Sequence, residues 1–181
     1  MVMTPGTRVG PYEIRTALSV PGPGELYEAR DHDEQRDVAF RVLPVDFAAN
    51  PDRLTRFTKE SQAAAQLVHP NLLTVHDIGT DAGAAYVVSE PMAGRTLREL
   101  IEAGPVPAAA VARYAADLAS GLAAAHAKGV AHRDLTPAHI LVAADGRARI
   151  VGLGLAAATQ KASALAGGAM PGTLSYLSPE Q

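Results

Sequence analysis

The stretch His132-Arg133-Asp134-Leu135-Thr136-Pro137-Ala138-His139-Ile140-Leu141-Val142 decides how this chain folds. A His-Arg-Asp tripeptide means little alone, so its setting carries the reading. Before it, Val111, Tyr114, Ala115, Leu118, Leu122 and Ala125 recur at helical spacing. That spacing predicts a long helix from about Pro107 to Lys128, stopped by Gly129. After it come a short apolar strand, Ile140 to Val142, a turn at Asp145-Gly146 and a second strand, Ala148 to Val151.

Further upstream the pattern is strand-rich. Tyr12 to Leu18, Glu25 to Asp31 and Asp37 to Leu43 are short runs bounded by Pro, Gly and Asp. Pro21-Gly22-Pro23-Gly24 forms the turn between the first two. A helix is expected from about Pro51 to Val68, with Asn50 as its cap and Pro51 in its first position. Leu54, Phe57, Ser61, Ala64, Ala65 and Val68 share one face. His69-Pro70-Asn71 ends it, because proline cannot continue a helix. Leu73 to Gly79 and Ala84 to Ser89 read as two more strands. A β-rich part thus precedes a helical part, with a joint near Glu90 to Gly94.

Composition narrows the class. Of 181 residues, 48% are hydrophobic and only 4% aromatic, so the core is filled mainly by aliphatic side chains and alanine. The net charge of -3 is interspersed, which argues against a nucleic-acid stripe or a polybasic membrane patch. The chain has no cysteine, so disulfides and thiolate metal sites are excluded. No apolar run approaches the roughly 18 residues of a membrane span. Residues 1–10 lack the pattern of a signal peptide, and a cytoplasmic location is expected.

The order of the motifs is specific. Asp37-Val38-Ala39-Phe40-Arg41, a helix with Lys59-Glu60, His69-Pro70-Asn71, the His132 stretch, Gly152-Leu153-Gly154-Leu155-Ala156, Gly172-Thr173, Tyr176 and Ser178-Pro179-Glu180 follow in sequence. From about Tyr12 to Gln181 this set resembles the protein kinases, and among them the bacterial serine/threonine kinases of eukaryotic type. The resemblance implies an α+β, two-lobed protein-kinase-like fold with a β-rich N-lobe and a mainly helical, incomplete C-lobe. It also implies the division 1–11 N-terminal extension, 12–90 N-lobe and 91–181 C-lobe.

Phosphoryl transfer needs positioned phosphates, neutralised charge and a group to take the hydroxyl proton. The resemblance places those parts as follows. The three loop glycines fall on Ser19, Pro21 and Gly24, of which one is kept, and Pro21 lacks an N–H for a phosphate. A plain hairpin turn accounts for the same residues. The strand lysine falls on Arg41, to be paired with Glu60; arginine keeps the charge but is longer and fork-shaped. A structural ion pair is the competing reading. Asp134 matches the proton-accepting aspartate, so the expected catalytic set is Asp134 (vestigial), Arg41 and Glu60. His132 is expected as a packed core histidine, and Arg133 as a partner for a phosphate on the activation segment. The lysine that contacts the γ-phosphate falls on Thr136 and is lost.

The family's metal ligands fall on His139 and Gly152. Magnesium prefers oxygen ligands, imidazole substitutes poorly and glycine offers no side chain, so no magnesium is expected. Losing one preorganised electrostatic group commonly costs about 10²–10³ in rate. By contrast, the apolar framework for a planar base is kept. Leu18, Gly24, Leu26, Ala39, Arg41 and Leu141, with backbone groups of Glu90 and Met92 beside the small Ser89, form the expected nucleotide set. Simple core packing is the alternative. Any ATP binding is expected to be weak and metal-independent.

The family continues past Ser178-Pro179-Glu180 with helices that cover the large lobe, so the helix Pro107 to Lys128 is expected to keep an apolar face open to a protein partner or to self-association. The reading is a pseudokinase that binds a protein partner in signalling. One alternative is an active kinase with unusual ligation, with Thr159, Ser163 and Thr173 as phosphosites. A second is a truncated, non-functional remnant.

Overall fold

The computed structural model describes residues 3–18, 24–44, 47, 49–155 and 176. The chain divides into two compact units. One holds Met1–Leu67 and Thr74–Met92, the other Val68–Leu73 and Ala93–Gln181.

The first unit is an antiparallel sheet of β1 (Arg8–Val9), β2 (Tyr12–Leu18), β3 (Glu25–Asp31), β4 (Arg36–Val42), β5 (Val75–Asp81) and β6 (Ala84–Ser89), joined in the order β1-β2-β3-β4-β6-β5. The turns explain the pairing. Asp31 Oδ1 accepts from the N–H groups of Asp33 and Glu34 at 3.1 and 3.2 Å, which closes the β3–β4 turn through a side chain. Between β5 and β6, Ala82 and Gly83 both have positive φ, as a tight two-residue hairpin of primed type requires. Inward-facing Val9, Ile14, Ala29, Val38, Val42 and Val88 form the core with the rings of Tyr12, Tyr27 and Phe40, and Tyr86 packs against it. Phe40 stacks on Tyr86 at 4.9 Å and meets Tyr12 at 5.6 Å.

Helix α1 (Pro51–Ala65) packs against β5 in this unit. Asn50 caps it by accepting from the Arg53 N–H at 3.1 Å. Phe57, Ser61 and Ala64 are buried as their spacing predicts. Its end differs from the expectation. The helix stops at Ala65 rather than Val68, and Gln66 turns the chain out of helical phase. Leu67 therefore takes the buried place and Val68 is 86% exposed.

The second unit carries β7 (Arg95–Thr96), β8 (Ile140–Val142) and β9 (Ala148–Ile150) in one antiparallel sheet. Helix α2 (Leu97–Ala103) was not foreseen from sequence; Thr96 and Glu99 form its capping box. Helix α3 (Ala108–Ala127) matches the expected long helix to one residue at each end. Tyr114, Gly121 and Ala125 are buried along it, whereas Val111 and Ala115 are exposed. Tyr114 packs with Ile140, Val142 and Ala148.

The His69-Pro70-Asn71 stretch is fastened inside this unit. Asn71 Nδ2 donates to the Ala148 carbonyl at 3.0 Å, and the Ile150 N–H donates to the Asn71 carbonyl at 2.8 Å. Asp117 on α3 accepts from the Ala148 N–H at 2.9 Å. Gly121 lets the stretch approach, since a Cβ there would sit 3.0 Å from the Asn71 carbonyl oxygen. No described helix is long and apolar enough to cross a membrane.

Candidate functional site

In the first unit the nucleotide-set residues lie on neighbouring strands. Leu18 and Leu26 face each other across β2 and β3, and Leu26 is paired in turn with Arg41 on β4. Ala39, two residues before Arg41, pairs with Ser89 on β6. Leu26, Ala39 and Ser89 are buried and Leu18 is half-buried. Gly24 has φ +72°, and a Cβ there would fall 1.8 Å from the Val42 carbonyl oxygen. Close backbone approach therefore demands glycine at 24. Ser19 and Pro21 lie outside the described residues.

Arg41 is 8% exposed. Burial pulls its guanidinium down to about 10, so it remains charged at neutral pH. Glu60 is half-buried on α1, one residue before the fully buried Ser61.

At the joint, Glu90 is tied to Thr74 twice. The Thr74 N–H donates to Glu90 Oε1 at 2.8 Å, and the Glu90 N–H donates to the Thr74 carbonyl at 3.0 Å. The Ser89 hydroxyl donates to the Glu90 carbonyl at 3.1 Å. The Glu90 N–H is thus already used within this unit. Met92 is half-buried.

In the second unit the catalytic-type loop is organised by His132, which is 4% exposed. Its Nε2–H donates to the Val151 carbonyl at 2.9 Å, and its Nδ1 accepts from the Asp134 N–H at 3.4 Å. The carbonyl cannot donate and the amide cannot accept, so the ring is the neutral Nε2–H tautomer. Burial holds its pKa below the ordinary histidine value, with the nearby His139 acting in the same direction. His132 thus joins the backbone of Asp134 to the residue preceding Gly152.

Asp134 and His139 are half-buried. His139 Nδ1 lies 3.3 Å from the Thr136 hydroxyl and 4.0 Å from Asp134 Oδ2. Gly152 has φ +83°, and a Cβ on it would meet His139 Cδ2 at 3.6 Å. The two positions expected from sequence to match metal ligands are therefore neighbours, one an imidazole and the other without a side chain. Among the described residues, no three His, Cys, Asp or Glu side chains gather as a metal centre would need. Leu141 is buried in β8, opposite Arg149 and Thr96. Arg133 is exposed, with φ +63°. Thr159, Ser163, Thr173 and Ser178-Pro179-Glu180 lie outside the described residues.

Sequence reasoning missed the contact between the His139 ring and the 152 position, which no linear spacing encodes. It also missed the Thr74–Glu90 tie, because a bulge in β5 hides the register.

Comparison with known proteins bears on this arrangement. The sequence profile of the protein kinase domain family matches residues 20–181. The chain is 39% identical over 171 residues to the serine/threonine-protein kinase PknL of Mycobacterium bovis, covering 94% of this chain and 43% of that protein. It is 38% identical over 176 residues to PknB of Mycobacterium leprae, covering 94% of this chain and 28% of that one. The chain thus spans less than half the length of these curated relatives. Among solved structures, the kinase domain of Mycobacterium tuberculosis PknI superposes with a TM-score of 0.79 at 26% identity, covering 86% of this chain and 64% of that one. The α+β, two-lobed kinase-like fold expected from sequence is the fold found.

Proposed function

Since the chain belongs to the protein kinase domain family, we propose that it is a serine/threonine-kinase-like pseudokinase, a module that engages a protein partner and holds ATP weakly and without magnesium. One observation carries this reading. Gly152 brings no donor, and its neighbour His139 points an imidazole where oxygen is wanted. Magnesium does not fit that donor set. The triphosphate's charge falls to Arg41, whose buried guanidinium stays protonated. For the base we assign Leu18, Leu26 and Ala39 of the first unit, with Gly24, Glu90 and Met92 contributing backbone.

A thermal-shift titration with ATP, with and without magnesium, tests the reading. A ligand that binds only the native state raises its stability. A shift of equal size in both conditions is the expected result. Magnesium-dependent ATP turnover, abolished by Asp134→Asn, would refute it.

One observation favours a second reading, an active serine/threonine kinase with unusual ligation. Asp134 is retained, and its backbone is held by His132. Intact-mass spectrometry after incubation with ATP and magnesium decides, because added phosphate on the chain or on a generic substrate requires turnover.

A further inference from the structure

The edge strand β5 contains one residue more than its partner. Val75 pairs with Ser89 and Asp77 with Val88, so His76 stands in a bulge. Bulges re-aim a side chain and are frequent beside functional sites. This one brings His76 Nδ1 to 3.3 Å from Arg36 Nη1, at the first residue of β4. A guanidinium has only donors, so Nδ1 accepts and the ring is neutral. Arg36 Nε lies 3.5 Å from Asp31 Oδ2, and the other oxygen of that buried carboxylate closes the β3–β4 turn.

The charged groups around the ring are Arg36 from β4, Asp31 from β3 and Glu90 beyond β6. Burial and Arg36 hold His76 below the ordinary histidine value, against the pull of Glu90 and Asp31. On its own strand, Asp77 accepts from the Tyr12 hydroxyl and from the Ile78 N–H. Two residues before the bulge is Thr74, bonded twice to Glu90. The chain re-enters this unit at Thr74 and leaves it after Met92.

We propose that His76 is a proton-sensitive latch, whose neutral ring ties the start of β5 to the β3–β4 hairpin and whose protonation loosens the Thr74–Glu90 pair at the chain's re-entry and exit. A protonated ring cannot accept from Arg36 and stands as a second cation beside it. With the tie lost and Arg36 repelling the ring, the start of the strand is released, and Thr74 with it. The latch lies within one unit and does not depend on whether a nucleotide binds.

Hydrogen–deuterium exchange of residues 73–77 and 88–91 tests it, at about pH 7.5 and at about one pH unit below the His76 midpoint found by NMR, corrected for intrinsic exchange rates. His76→Gln is the control, since its amide oxygen accepts from Arg36 at either pH. The natural chain should lose about tenfold in protection at the lower pH, and the control should not. Equal behaviour of the two overturns the proposal. The His76 ring titration, followed by NMR in the natural chain and in Arg36→Met, is a second measurement. Removing the cation should raise the midpoint, and an unmoved midpoint overturns the latch.

Discussion

Replacing Gly152 by Asp and His139 by Asn in one protein should create a magnesium response, and the proposed reading expects none from the natural chain. The structure sets the cost. A Cβ at 152 meets nothing closer than His139 Cδ2 at 3.6 Å and Leu155 Cδ1 at 3.9 Å, which is ordinary contact. The remaining penalty is the left-handed backbone at φ +83°. L-residues adopt that region at a cost of about 1–2 kcal/mol, with Asp and Asn at the low end. A loss of that size lowers the melting temperature by a few degrees. On the other side, a ligand at about 100 times its dissociation constant adds about 2.7 kcal/mol. A metal-assisted nucleotide can therefore more than offset the strain. The assay is the ATP-induced thermal shift with magnesium minus the shift without it. The expected difference is nil for the natural chain and several degrees for the double variant. Gly152→Asp alone should give less, because its carboxylate would pair with the adjacent imidazole. If the double variant folds, binds ATP and still ignores magnesium, the deficit does not lie at these positions and the reasoning fails.

Two further outcomes follow from the geometry. Stability should fall on acidification. Above the ordinary histidine value neither state of His132 binds a proton; below it the unfolded chain takes one that the buried ring refuses, so stability is lost as pH falls through the depressed folded value. Urea midpoints against pH, compared with His132→Gln, should show a shallower acid limb in the variant. Gly24→Ala should destabilise by more than about 2 kcal/mol, since it combines left-handed strain with a clash against main chain. Its Cβ would fall 1.8 Å from the Val42 carbonyl oxygen. An unchanged denaturation midpoint would refute that.

Much of the fold was legible because its boundaries are written in turn residues. The limits of β2, β3, β6 and β8 match the flanking Pro, Gly and Asp signals. Asn50-Pro51 marked the start of α1. Its end was misread because Val68 continues the helical period by chance, while the chain has already turned at Gln66. Strands β1 and β7 have two residues each, too few to carry a period. Helix α2 had a readable signal, Thr96 followed by Glu99, which the strand-to-helix reading passed over. At the site, motif order located His139 and Gly152 but could not say that they touch. The bulge at His76 is a property of register, and register depends on the partner strand.

The retained motif residues differ in what keeps them. His132 satisfies the Val151 carbonyl and the Asp134 N–H, and Asn71 satisfies the Ala148 carbonyl. A buried backbone group left without a partner costs about 1–3 kcal/mol, so the fold alone accounts for these side chains whether or not the protein transfers phosphate. His139 and Gly152, on the proposed reading, stand at metal-ligand positions, which the fold can fill with other residues. Asp134 fits neither class. Its carboxylate is half-buried, and its one ion-pair contact among the described residues is His139 Nδ1 at 4.0 Å. So weak a contact gives the fold little to lose, and the proposed pseudokinase has no use for its proton-accepting role. Asp134→Asn is therefore the substitution that separates the two functional readings. It should leave stability and metal-independent ATP binding unchanged in a pseudokinase, and it should abolish turnover in a kinase.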